Sequence, residues 1–141
     1  MASSLICGDV QSRVSSVLNR DVKQFGKKHM FDSNEETCWN SDQGEHQWVI
    51  LEFPQSVKIS ELKVQFQGGF SAKTCRLEGF SKHGDFTEIA RFYPEDDNSP
   101  QSFPIQEAPV ADKVKIFFEN SADFFGRIII YSLDVLGDKA S

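Results

Sequence analysis

Long apolar runs are missing from this 141-residue chain. The longest, residues 48–51 and 128–131, are far short of the roughly 20 residues that a membrane-spanning helix needs. Residues 1–8 have neither a cationic start nor an extended apolar stretch, so no secretory signal is expected. Cysteine is scarce and odd in number at three, without a CxxC pair or a Cys/His cluster. That composition argues against a disulfide framework and structural zinc, and favours a reducing compartment. Cys38 and Cys75 sit in apolar surroundings and are expected to act as small buried hydrophobes rather than nucleophiles. The sequence also lacks an HExxH, a Gly-x-Ser-x-Gly elbow and a nucleotide-binding glycine fingerprint. Its three histidines, His29, His46 and His83, stand apart from one another. No catalytic residues are therefore expected. Long helical periodicity, internal repeats and a dividing linker are absent too, which excludes α/β folds with crossover helices.

What is abundant is phenylalanine. Thirteen Phe and two Trp against two Met indicate a core of flat, bulky rings, suited to facing sheets. Fifteen basic and 21 acidic side chains leave a net charge of −6. That balance disfavours direct nucleic-acid contact and binding to anionic membranes. The charge is unevenly spread. Arg20, Lys23, Lys27 and Lys28 form a basic stretch, and Asp32, Glu35, Glu36, Asp42 and Glu45 follow it. An ordinary solvated surface and a docking patch for an acidic partner segment are the two readings of this contrast.

Strand-like alternation recurs along the chain. Residues 47–53, QWVILEF, place Val49, Leu51 and Phe53 on one side and Trp48, Ile50 and Glu52 on the other. Pro54, Gln55 and Ser56 signal a turn. A second strand is expected over 57–66, ended by Gly68–Gly69, with Phe70 as an exposed loop tip. Strands over 74–80 and 86–92 are joined by a hairpin turn at residues 82–85. An acidic, proline-bounded connection over 94–100 leads to a short strand over 102–105. Residues 113–118 alternate again. The closing strand, 127–137, puts Ile129, Tyr131, Leu133 and Val135 on one face. Residues 14–18 suit a helical turn or a short edge strand, and 27–31 one turn. Residues 1–11 are expected to be a flexible lead-in and 138–141 a frayed tail, flanking a single domain over 12–137. Six or seven such segments separated by turns predict an all-β sandwich. Trp39 and Trp48 are expected to fill its edges rather than form a sugar platform.

The polar loop and strand FDSNEETCWNSDQGEHQWVILEF, with the closing segment FGRIIIYSLDVLG, resemble discoidin-like (F5/8 type C) domains. The resemblance covers residues 12–137 and implies a galactose-binding-like jelly-roll β-sandwich. The stretches SRVSSVLNR, QFGKKH, EETCWNSDQG, QFQGGF and FYPEDDNS further resemble a vertebrate family of small proteins that associate with an orphan nuclear receptor. This implies a non-enzymatic, repressor-type partner of a nuclear receptor protein in transcription regulation. The implied location is the nucleus, with the cytoplasm as a second compartment. Two alternatives stay open: a carbohydrate or small-ligand binding domain, and a structural subunit of a larger intracellular assembly.

The same resemblance points to site residues. Many discoidin-like domains hold calcium in the loop before a Thr-x-Trp, and the matching positions are Asp32, Asn34 and Thr37. A Glu on the final strand often completes that site; Ser132 stands there, with Asp134 two residues on. A structural calcium ion and an ion-free loop held by Asx-type turns are both open readings. No other cofactor is implied. Secreted members often tie their termini with a disulfide, but Cys7 has no cysteine near Gly137 to meet. Ligand recognition in the family comes from loops at one end of the sandwich, here 24–28, 42–46, 68–73 and 123–127. Lys27, Lys28, His46, Phe70, Phe124 and Arg127 are the candidate binding residues. Of Phe124 and Phe125, one ring is expected inward and the other outward.

Overall fold

The computed structural model describes residues 2–81 and 86–140. The hairpin turn expected at 82–85 lies outside them. Among the described residues the strands run β1 (Ser3–Ser4), β2 (Gln11–Val14), β3 (Trp39–Asn40), β4 (His46–Phe66), β5 (Ala72–Phe80), β6 (Phe86–Phe92), β7 (Pro100–Pro104), β8 (Ala111–Ser121) and β9 (Ile129–Lys139). One short helix, α1 (Val22–Phe25), is capped by the Asp21 carboxylate, which accepts from the Gln24 amide. The all-β sandwich is borne out, and every strand pairing is antiparallel.

β4 organises the molecule. The two strands expected on either side of Pro54 are one extended element of 21 residues. Proline lacks the N–H that a ladder needs, so pairing with β8 breaks between Glu52 and Val57. The chain stays extended and passes from one layer to the other. Its first part pairs with β2 and β8, and β8 continues to β5 and β6. Its second part pairs with β9 and β7, while β1 and β3 line the far edge of β9. A single hydrogen-bonded sheet thus folds into two facing layers.

The side-chain pattern follows the pleat except at bulges. Val49, Leu51 and Phe53, then Val57 and Ile59, face the core at odd positions. Leu62, Val64 and Phe66 do so at even ones. The parity changes at the register shift between Ile59 and Glu61. A second shift, beside Phe66, makes Ile130 rather than Tyr131 the core residue of β9. The face proposed for Ile129, Tyr131, Leu133 and Val135 therefore does not hold throughout. Ring contacts join the layers: Phe66 meets Phe118 edge-on at 5.9 Å, and Trp39 lies 6.3 Å from Phe118. Trp39 is fully buried, and its indole N–H donates to the Ser16 carbonyl.

The termini are more engaged than a flexible lead-in and frayed tail would be. Ser3–Ser4 pairs with β9, Leu5 is buried, and its amide donates to Val135. At the other terminus Asp138 and Lys139 pair with β4, and the Ala140 amide donates to Ser56. The unpaired edge of β9 gives this short N-terminal segment its hydrogen-bond partners. Neither alternative for residues 14–18 holds throughout: an edge strand ends at Val14, and a 3-10 turn over Leu18–Arg20 begins at Leu18. Residues 27–30 form the expected single turn. No helix among the described residues is long and apolar enough to cross a membrane.

Candidate functional site

At one end of the sandwich, loops 41–46, 67–71 and 121–128 are tied together through backbone bonds. The Gly44 amide donates to Phe125, Ser41 to Ile128, Ala122 to Ser71 and Ile129 to Phe70. Within the last loop the Asp123 carboxylate accepts from both the Arg127 amide (3.1 Å) and its Nε (3.2 Å). The Ser121 hydroxyl donates to the Arg127 carbonyl and accepts from the Asp123 amide. Gly126 adopts φ +86°, and a Cβ there would lie 2.0 Å from the Gly44 carbonyl oxygen. Only glycine fits where these two loops meet.

This bracing pushes residues 124 and 125 to the apex. Phe124 is 94% exposed and Phe125 53% exposed, with their rings edge-on at 5.3 Å. The expectation of one inward ring is corrected: both rings project from the loop. Beside them opens a cleft of about 680 Å³ lined by Gln43, Glu45, His46, Asn120 and Asp123 along with the two rings.

His46 lines that cleft as expected and is largely exposed. Its Nδ1 lies 3.0 Å from Glu119, whose other oxygen accepts from Arg76 Nε at 2.8 Å. Arg76 also binds Glu78 and lies over the Phe117 ring at 4.1 Å. The Arg76 hydrogen bond holds the Glu119 carboxyl below the usual range, outweighing partial burial, and His46 adds to the effect. For Asp123, burial pushes the carboxyl up, but the hydrogen bonds and charge of Arg127 bring it below that range. Arg127 sits 5.2 Å from the centre of the half-buried Phe70 ring. Phe70 is therefore no exposed tip. Neither it nor Arg127 lines the cleft; their pairing supports the loop from behind.

Lys27 and Lys28 do not join this end. The Lys27 ammonium donates to the Ser12 carbonyl on β2, and Lys28 is exposed in the turn that carries it. Ser12 pairs with Leu51, so Lys27 is anchored well along β4 from His46. Trp48 also departs from expectation. It lies half-buried on the outer face of its layer, 4.7 Å from Lys115 Nζ, instead of filling a sandwich edge. Alternation with buried Val49 requires that placement.

Asp32, Asn34 and Thr37 come together in one loop. Asp32 Oδ1 accepts from the Asn34 amide at 3.0 Å, and Oδ2 accepts from the Thr37 hydroxyl at 2.6 Å. His29 Nδ1 lies 3.2 Å from the same Oδ2, and Asn34 Oδ1 accepts from the Glu36 amide. Partial burial raises the Asp32 carboxyl, but these donors hold it below the usual range. No group of three or more His, Cys, Asp or Glu gathers into a metal-type cluster among the described residues. Asp134, near the position of the family's closing carboxylate, instead accepts from the Ser4 hydroxyl at 2.6 Å.

Glu119 and Arg76 were missed from sequence. Their alternation marks them as outward-facing, but only the pairing of Glu119 with His46 on one side and Thr74 on the other shows that β8 and β5 set them beside His46. Cys75 is fully buried, and burial drives its thiol well above the ordinary range, consistent with a packing role; Cys38 is half-buried.

Comparison with known proteins agrees with this architecture. The F5/8 type C family described as "NedA-like, galactose-binding domain" matches residues 29–116. A Danio rerio protein named nuclear receptor 2C2-associated protein is 73% identical over 139 residues, covering 99% of each chain. Its Homo sapiens namesake is 58% identical, again over 99% of each chain. Among solved structures, the C-terminal domain of a chitobiase from Bacteroides fragilis superposes with a TM-score of 0.80 at 19% identity, covering 99% of this chain and 100% of that one. The family 32 CBM from C. perfringens NanJ, in complex with galactose, gives 0.80 at 15% identity, with coverage of 96% and 99%. At such identities the two structures share the fold alone. The end-to-end identity to the named relatives goes further: this chain belongs to the nuclear receptor 2C2-associated protein family, on an F5/8 type C, galactose-binding-like domain.

Proposed function

We propose that the chain is a non-catalytic association module that docks a nuclear receptor through its 121–127 loop end, acting in the nucleus as a repressor-type partner in transcription regulation. The observation that carries this reading is the 94% exposure of Phe124 on a loop too braced to withdraw it. Burying a ring of that size against a partner is worth roughly 1.5–3 kcal/mol. Aromatic side chains of this kind dominate many protein interfaces. The names of the relatives supply the partner class. A non-catalytic role is supported by the galactose-binding-like family model and by the names of the relatives.

Co-precipitation with the receptor's ligand-binding domain, mapped by residue-level cross-linking, tests the reading. Replacing Phe124 and Phe125 together by Ala should abolish capture and remove cross-links from this loop. Undiminished capture overturns the assignment.

A carbohydrate reading draws on the polar lining of the same cleft. It is the weaker one, because Arg127 is spent on Asp123 and Phe70, behind the cleft. Saturable galactose binding in NMR titration, lost on His46→Ala, would reverse the order.

The loop holding Asp32, Asn34 and Thr37 serves this module without calcium. Calcium takes six to eight oxygen ligands, whereas the Asp32 and Asn34 side-chain oxygens here already accept from donors within the loop or from His29. Titrating calcium into chelator-treated protein should give neither calorimetric heat nor a rise in melting temperature. Either signal refutes the ion-free reading.

A further inference from the structure

We infer a second docking surface, separate from the loop end: the outer face of the layer around β2, β4 and β8 takes an acidic peptide segment that seats an apolar side chain on Ile50. Antiparallel register builds this surface. Arg13, Ile50 and Lys115 lie opposite one another across three strands, and Gln11, Glu52 and Lys113 form the next row. Directly opposed residues share a face. Half-buried Ile50 is thus flanked by two cations, with a third one row away.

Lys27 adds a fourth. Its bond to the Ser12 carbonyl brings its ammonium to the margin of a cleft of about 690 Å³, lined by Val10, Arg13, Lys27, Ile50, Glu52 and Lys113 among others. Glu52 is the one carboxylate among the lining residues, in a chain whose net charge is −6. The ion pairs among the described residues engage Arg76, Arg91, Arg127, His29 and His46. None of them uses Arg13, Lys27, Lys113 or Lys115. Lys113 lies over Phe80 at 5.0 Å and Lys115 over Trp48 at 4.7 Å. Their ammonium groups are held against the sheet, so less side-chain entropy is lost when an anion arrives.

The interspersed carboxylates select the partner's chemistry. Glu52 opposes Lys113, and Glu78 opposes Lys115. A continuous phosphate backbone would meet these negative charges. A peptide with spaced Asp or Glu residues and one apolar side chain matches the alternation of cations around Ile50.

Fluorescence anisotropy tests this with a fluorescein-labelled peptide of alternating Glu and Ser around a central Leu. Saturable binding to the wild type, weakening as salt rises, is expected. The pair Arg13→Glu and Lys113→Glu should lower affinity roughly tenfold or more, and changing the peptide's Leu to Ser should lower it again. The milder pair Arg13→Gln and Lys113→Gln should give an intermediate loss, which guards against misfolding of the reversal variant. Phe124→Ala should leave peptide binding unchanged, separating this surface from the loop end. No saturable signal with the wild type, or equal binding by the reversal variant, overturns the proposal. So does tighter binding of a single-stranded oligonucleotide of equal charge. Self-association in sedimentation that disappears in the reversal variant would instead give the face to a second copy of this chain.

Discussion

Loops 32–37 and 121–127 are braced by the same device and end up with opposite surfaces. In each, an aspartate accepts hydrogen bonds from a nearby backbone amide and side chain: Asp32 from Asn34 and Thr37, Asp123 from Arg127 twice. Both carboxyls are held below the usual range. The first loop spends its polar groups on itself. The second does the same, yet its apex carries Phe124 and Phe125, which have no internal use. Rigidity is common to both, and what the apex displays decides whether a partner gains by covering it.

The largest test of this contrast is Gly126→Ala. A Cβ at φ +86° facing the Gly44 carbonyl should cost about 3 kcal/mol in urea denaturation. It should also weaken receptor capture by displacing the Phe pair. A loss near zero would show that the two loops are not locked together.

Glu119→Gln should cost about 1.5 kcal/mol, because Arg76 loses a charged partner. Glu119 has a lowered folded-state pKa, so its contribution is complete above the unfolded glutamate value and disappears as pH falls through the folded one. Melting temperature against pH should therefore flatten on the acid side in this variant. An unchanged acid limb would remove Glu119 from the account.

Asp32→Ala should cost about 1 kcal/mol, since it strips the acceptor from one amide and one hydroxyl. Receptor capture should be untouched, as the loop displays nothing to a partner. Loss of capture at full stability would erase the distinction between the loops. The smallest stability effect belongs to Phe124→Ala, within about 0.5 kcal/mol. Its effect should fall on binding, and a large drop in melting temperature would mean that the ring packs internally after all.

Much of the core could be read from alternation: Val49, Leu51 and Phe53, and later Val114, Ile116 and Phe118, face inward as their period of two requires. The Asx-type bonds of the Asp32 loop were also within reach, since such short-range bonds depend on neighbours in sequence. Other features were less accessible. Local pattern suggested a turn at Pro54 where the structure has a continuous strand changing layers. Lys27 looked like part of the recognition end, but its contact with Ser12 is a meeting of distant segments. The missed pair, Glu119 and Arg76, carries no motif, and its relation to His46 exists only across three strands.

Whereas the interior is largely aliphatic, with Trp39, Phe53, Phe66, Phe92 and Phe118 as its buried rings, composition and periodicity by themselves settled the strand-rich class and the absence of familiar catalytic motifs. These depend on side-chain chemistry and on a repeat that every extended segment shares. Tertiary structure decided which strands became neighbours, where bulges reversed the faces, and that both Phe124 and Phe125 project while Arg127 turns inward to Asp123 and Phe70. The period of a strand states that alternate residues share a face. It contains no information about the strand on the other side of the hydrogen bonds.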